Sequence, residues 1–283
     1  MGSLTAGSTA QGPLPGGGLA LGPPWRRWAR QNERLLLGLV GVVSVLAVWE
    51  LAVRVGLLRP FFMSAPSLIA RAAVAELEEG SIWGHMGVSL LEFSLGYAAA
   101  AAVGILIGIV GGWYRRANYI LDPWLAALYA TPDVALVPLI ILVLGIGIWS
   151  KVFVVFLSSL FSVAINTLVG VQSTEARYIE VARSFRASQL TVLRSVVLPG
   201  SVPFVLTGLR LAAGRALVGV VLAELIAANQ GIGFMITIAG STLNTARVML
   251  GVFILGAFGV FLGEVMRHLE QRFDVWRPER PQA

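Results

Sequence analysis

Residues 152–174 read VFVVFLSSLFSVAINTLVGVQST, 23 residues without one Asp, Glu, Lys or Arg. An α-helix needs about 20 mostly apolar residues to cross a bilayer, and this stretch meets that length. The pattern recurs along the chain. Leu35–Val53 is broken only by Glu50. Phe93–Tyr114 and Val134–Ser150 carry no such charge, Pro203–Glu224 is apolar except for Arg210, Arg215 and Glu224, and Val248–Gly263 is a shorter run. These six runs predict six transmembrane helices. Leu225–Ala246 is also uncharged, but Asn229, Gln230, Gly231, Gly233, Gly240, Ser241, Thr242 and Asn244 mark it as a loop or a re-entrant piece.

Composition agrees. Of 283 residues, 57% are hydrophobic and 13% charged, with a mean hydropathy of +0.80; an average soluble domain carries roughly 25% charged residues. A soluble protein of this size leaves too much area exposed to hide that apolar surface, and disorder is excluded for the same reason. The net charge of +6 does not mark a nucleic-acid binder. Of 21 basic residues only Lys151 is lysine, and the arginines are scattered between apolar runs. Cysteine is absent, so there is no disulfide framework and no thiolate metal site. The chain is expected to be an all-α, polytopic membrane protein.

Charge placement orients it. Positive residues are enriched in cytoplasmic loops. One set of flanks holds Arg26, Arg27, Arg30 and Arg34, then Arg115 and Arg116, then Arg177, Arg183, Arg186 and Arg194, then Arg267, Arg272, Arg277 and Arg280. The alternate loops hold Arg54, Arg59, Arg71, Lys151 and Arg247, so the tally is 14 against 5. Both termini are therefore expected in the cytoplasm, which requires an even number of spans. Residues 1–30 and 276–283 read as cytoplasmic tails around a membrane domain at 31–275. Residues 1–24 are uncharged, rich in Gly, Pro, Ala and Ser, and without the apolar core of a secretory signal.

Several chemistries are missing. A nucleotide-binding P-loop needs Gly-x-x-x-x-Gly-Lys-Ser/Thr. The lone Lys151 follows Gly145-Ile-Gly147-Ile-Trp-Ser150 and precedes Val152, which reads as a helix-breaking turn between the third and fourth spans, at a membrane edge. His85 and His268 fall on opposite sides of the expected membrane, and neither a Gly-x-Ser-x-Gly nor a His-Glu-x-x-His motif occurs. His85 reads as a polar interface residue. The sequence therefore predicts no catalytic residue, no metal site and no cofactor bound by the chain.

The loop 175–203 carries the most information. Ile179, Ala182 and Phe185 recur at helical spacing, with Glu180 and Arg183 on another face. Ser188 can cap a second helix with the apolar face Leu190, Leu193 and Val197, which Pro199 and Pro203 stop or kink. Periodicity alone leaves two readings open: an amphipathic connector lying on lipid headgroups, or a docking element for a cytoplasmic partner.

The string Glu180-Val181-Ala182-Arg183-Ser184-Phe185-Arg186-Ala187-Ser188, followed by Leu198-Pro199, resembles the EAA loop of ABC importer permeases. The subfamily it resembles most is that for nitrate, sulfonate, taurine and bicarbonate. The likeness extends to Leu121-Asp122-Pro123, Ala135-Leu-Val-Pro138, Gly145-Ile-Gly147, Thr207-Gly208-Leu209-Arg210, Gly214-Arg215-Ala216, Ala223-Glu224-Leu225, Pro66-Ser67 and Gly231-Ile-Gly233, over roughly residues 35–275. Three departures stand out: Arg186 replaces the family's glycine at the turn, where a side chain costs strain if φ is positive, Val181 replaces its alanine, and the family's basic residue near Glu92 is missing.

The resemblance implies a six-helix, type I (MetI-like) importer permease in a bacterial inner membrane, pairing with a second copy. Glu180–Ser188 of each copy would dock a cytoplasmic ABC ATPase, which alone uses ATP. A periplasmic or lipid-anchored solute-binding protein would deliver cargo to Phe61–Gly87 and Gln230–Arg247. Sulfonates, taurine, nitrate, bicarbonate and pyrimidine-type vitamin precursors stay open as cargo. Arg210, Arg215 and Glu224 are candidate pathway residues, because charges inside a span are functional candidates by default. Arg210 and Glu224 share one helix face and Arg215 lies off it. The alternatives for that pair are plain: Arg210 snorkels to headgroups and Glu224 braces a helix end. A self-sufficient, ion-gradient-driven transporter or channel is the competing class, and it predicts an inverted repeat that the two halves do not display.

Overall fold

The computed structural model describes residues 33–59 and 61–273. The expected tails 1–30 and 276–283 lie outside them. Among the described residues there are helices and no strands: α1 (Glu33–Arg54), α2 (Pro66–Glu79), α3 (Ser81–Trp113), α4 (Arg115–Ala130), α5 (Asp133–Leu144), α6 (Ile148–Gln172), α7 (Ala176–Ser184), α8 (Gln189–Val192), a π-helical turn (Leu193–Val197), α9 (Leu198–Ala227), α10 (Ile232–Ser241) and α11 (Thr245–Phe273). The described residues up to Leu51 fall in one unit and those from Ala52 in another. The first holds most of α1, an apolar helix long enough to span a bilayer.

In the second unit α6 is central, with two thirds of its most apolar window buried, clasped by α3 and α9. Small residues make this possible. Gly96, Ala100, Gly104 and Gly108 form a buried stripe on α3 at every fourth position. A Cβ on Gly96 would meet Val155 Cβ at 2.6 Å, and one on Gly104 would meet Val163 Cβ at 2.8 Å. On the other side Gly208 of α9 sits equally tight against Asn166 of α6, at 2.8 Å. Close approach of backbones through small residues is how helices associate where lipid offers no hydrophobic gain.

Among the described residues five helices are long and apolar enough to cross a membrane, and the bent pair α4–α5 makes six when taken as one span. That pair corrects the third expected span. Val134–Ser150 is not one helix: α5 covers only 12 residues, roughly 18 Å, and stops at Gly145, whose φ is 77°. It is joined to α4 through a 99° bend at residues 131–132, where Pro132 forces Thr131 out of helical geometry (φ −72°, ψ 128°). The expected re-entrant segment contains α10, whose 10 residues are too short to cross. The second correction is at Pro199, which does not stop its helix. The Leu198 N–H donates back to Leu193 in the π turn, and this extra residue carries the helix past the proline's missing donor. Gln189–Ala227 is thus one apolar helical run of 39 residues.

Candidate functional site: a surface loop and a buried charge cluster

The loop between α6 and α9 is a folded unit. Ile179, Ala182, Ala187 and Leu193 pack against Val171, Val192 and Val197 together with Ile109 and Trp113, so α7 rests on the ends of α3 and α6. Ser188 caps α8 as expected, its Oγ accepting the Thr191 N–H at 3.2 Å. At the turn Arg186 takes φ 59°. Its N–H donates to the Arg183 carbonyl at 2.8 Å, and the Ala187 N–H to Ala182 at 3.1 Å. The glycine-favouring turn is therefore retained with arginine in it, at about 1–2 kcal/mol of strain. Of the nine residues Glu180–Ser188, Ala182 and Ala187 are half-buried, while Glu180, Val181, Arg183, Ser184, Phe185, Arg186 and Ser188 are exposed. Phe185 and Leu190, which spacing puts on the apolar faces of the two helices, are both exposed. Phe185 is 83% exposed, and with Tyr178 and Val181 it forms an apolar stripe pointing outward.

Roughly 30 Å away along α6, a second cluster gathers. Glu92, Lys151 and Glu224 are all buried. Just past the expected break at 145–147, Lys151 sits in the first turn of α6 and pairs with Glu92 of α3. The basic partner that the sequence lacks beside Glu92 comes from another helix. Glu224 of α9 accepts the Ser89 hydroxyl at 2.6 Å and the Gly233 N–H at 2.6 Å. The Ile232 N–H donates to Ser89 at 2.9 Å and the Gly231 N–H to His85 Nδ1 at 3.1 Å. This explains Gly231-Ile-Gly233: Gly231 has φ 123°, and a Cβ on Gly233 would meet Glu224 Cβ at 2.7 Å. Only glycines let this backbone pass so close to the carboxylate that the Gly233 N–H reaches it. The cluster ties the start of α10 to α3 and α9.

The remaining intramembrane charges are apart. Arg210 pairs with Glu270 of α11 at 3.2 Å. Arg215 places its guanidinium over the Tyr129 ring of α4, 4.6 Å from the centroid. The three pathway candidates therefore occupy three separate places. At the start of α11, Arg247 binds Glu76, and Glu79 at 3.2 Å, tying α2 to α11. Sequence reasoning missed Glu92, Lys151 and Ser89. A single lysine in an apolar chain was the available signal, but its partner is 59 positions away and only the fold joins them.

Residues 104–275 match the model of the family described as binding-protein-dependent transport system inner membrane component. The chain belongs to this family. It is a multi-pass permease of an ABC importer. Its relatives include the putative aliphatic sulfonates transport permease SsuC of Bacillus subtilis, 32% identical over 88% of this chain and 90% of that protein. The taurine transport system permease TauC of Escherichia coli is 34% identical over 90% and 94%. The formylaminopyrimidine transport permease ThiX of Halalkalibacterium halodurans is 28% identical over 84% and 94%. Among solved structures, an inward-facing MetNI methionine ABC transporter superposes with a TM-score of 0.57 at 14% identity, covering 70% of this chain and 96% of that one. An amino acid ABC transporter superposes with a TM-score of 0.59 at 15% identity, covering 71% and 97%. These two likenesses concern the fold.

Proposed function

We propose that two copies of this chain form the gate of an importer for organic sulfonates of the taurine type, moved by a separate cytoplasmic ATPase. The cargo reading is supported by sulfonate and taurine permeases matching about nine tenths of the chain at more than 30% identity. The observation that carries the coupling reading is the loop itself: a short helix anchored on the ends of α3 and α6, with Tyr178, Val181 and Phe185 facing outward. Such an element has one side to grip and another to transmit. The ATPase takes hold at Glu180–Ser188, in the cytoplasm with both termini. When ATP closes the ATPase pair, the docked loops bias the spans toward the outward-open state, a population shift driven by differential binding. ATP acts in the partner. At the far end of the spans, a solute-binding protein meets the surface formed by α2 and residues 230–247, which Arg247 braces.

Glu180→Arg, or deletion of 182–187, is expected to abolish ATP-driven uptake while membrane insertion and yield stay normal. Vesicles carrying the assembled importer and labelled taurine provide the assay. Normal uptake by both variants would contradict docking at this loop.

A further inference from the structure

Among the described residues, the charges on α3, α6 and α9 are answered by the chain itself, Arg215 excepted. Glu92 and Lys151 answer each other, Glu224 takes a hydroxyl and an amide donor, and Arg210 meets Glu270. Among the described residues no acceptor meets the guanidinium of Arg215, whose neighbour is the face of Tyr129. Asp133, four residues beyond Tyr129, makes no ion pair with it. Arg215 lies 12 residues before the end of α9, roughly 18 Å inside the helix, so it cannot reach the headgroups at that end by snorkelling. A guanidinium in hydrocarbon without an acceptor is costly and marks a functional position.

The surroundings show what the acceptor could be. Arg215 is half-buried at the border of an uncovered strip of α9. Leu211 and Val218 are 54% and 55% exposed there, and a Cβ on Gly214 would meet nothing within 4 Å. Tyr129 stands in the last turn of α4, just before the 99° break. Stacking on the ring uses the flat face of the guanidinium. Its five N–H donors lie in the plane, free for a two-pronged hold on an anion with adjacent oxygens.

We propose that Arg215, laid over Tyr129 at the break in the α4–α5 span, is an oxyanion-binding station in the translocation pathway, taking the sulfonate head of the cargo in transit. This rests on the permease and cargo reading above. Arg215 touches the cargo, and Tyr129 is a positioning residue that fixes the guanidinium plane.

The test uses the complete importer, with ATPase and binding protein, in vesicles loaded with ATP, and taurine and an alkanesulfonate as probes. R215Q is expected to lower the maximal uptake rate about tenfold or more, while the half-saturating concentration, set at the binding protein, changes less than about twofold. R215K keeps the charge but loses the stack and the fork, and should fall between. Y129F keeps the ring face and should stay within about twofold of wild type, whereas Y129L should lose about fivefold. The Tyr129 pair keeps the proposal testable should R215Q not fold. An R215Q importer of wild-type size with wild-type rates overturns the proposal. So do equal rates for Y129F and Y129L, or an R215Q complex that separates into single permease chains, which would make Arg215 a contact between copies. A wild type that imports neither sulfonate contradicts the cargo reading and this proposal with it. An active wild type beside an equally active R215Q contradicts the anion station alone.

Discussion

Lys151→Met tests the buried charge cluster with the largest expected signal. The substitution removes the ammonium paired with Glu92, whose side chain is fully buried, and leaves an apolar side chain of similar length. Removing one partner of a buried ion pair costs about 3–5 kcal/mol, because the other charge stays behind uncompensated. At about 2–4 °C per kcal/mol for a folded unit of 150–250 residues, the melting temperature falls on the order of 10 °C. Replacing both partners, E92Q with K151M, removes the pair and leaves Glu224 on its own donors, Ser89 and the Gly233 N–H. The double variant should recover a coupling energy of about 2–3 kcal/mol. The assay is thermal unfolding of the purified chain in lipid nanodiscs, followed by size-exclusion loss of the folded peak. A K151M melting temperature within about 2 °C of wild type, or losses in the two single variants that simply add in the double variant, would refute the reasoning.

Two further outcomes are expected. Gly233→Ala places a Cβ 2.7 Å from Glu224 Cβ and 3.1 Å from the Val221 carbonyl, so the Gly233 N–H is pushed off the carboxylate. Overpacking of that kind costs about 1–3 kcal/mol, and hydrogen exchange across residues 231–241 should accelerate while α6 stays protected. Arg186→Gly relieves the φ 59° strain but frees the unfolded chain. The two nearly cancel, so stability moves by no more than about 1 kcal/mol, and any loss of uptake then reports the missing guanidinium at the ATPase contact.

The spans were legible because bilayer thickness sets a length that uncharged runs must match, as in Val152–Thr174. The third was misread because a run such as Val134–Ser150 shows no charge where its backbone breaks. Pro132 bends the chain one residue before α5 begins, and Gly145 ends that helix early. At Pro199, where a stop or a kink was expected, the helix runs on: the π turn that lets it continue arises from backbone bonding at Leu193–Leu198, which residue type does not announce. In the loop, cap and turn were readable because Ser188 and Arg186 act on neighbours in sequence. Which way Phe185 points was not legible, because spacing names a face without saying whether that face is turned inward or outward. The pairing of Lys151 was not legible for want of its partner. Glu92 and Lys151 are on different helices, and only the glycine-lined contact of α3 with α6 brings them together. Glu224 was singled out from its place in a span, but the donors that hold it, Ser89 and the Gly233 N–H, come from two other segments.

The central claim is that this chain is a gate without a motor of its own, driven through the loop at Glu180–Ser188. The direct measurement is solute accumulation in vesicles containing the purified chain and the binding protein, with and without the ATPase. Accumulation of taurine against its gradient only when ATPase and ATP are both present is the predicted result. Accumulation by the chain without the ATPase, driven by an imposed ion gradient, would contradict it.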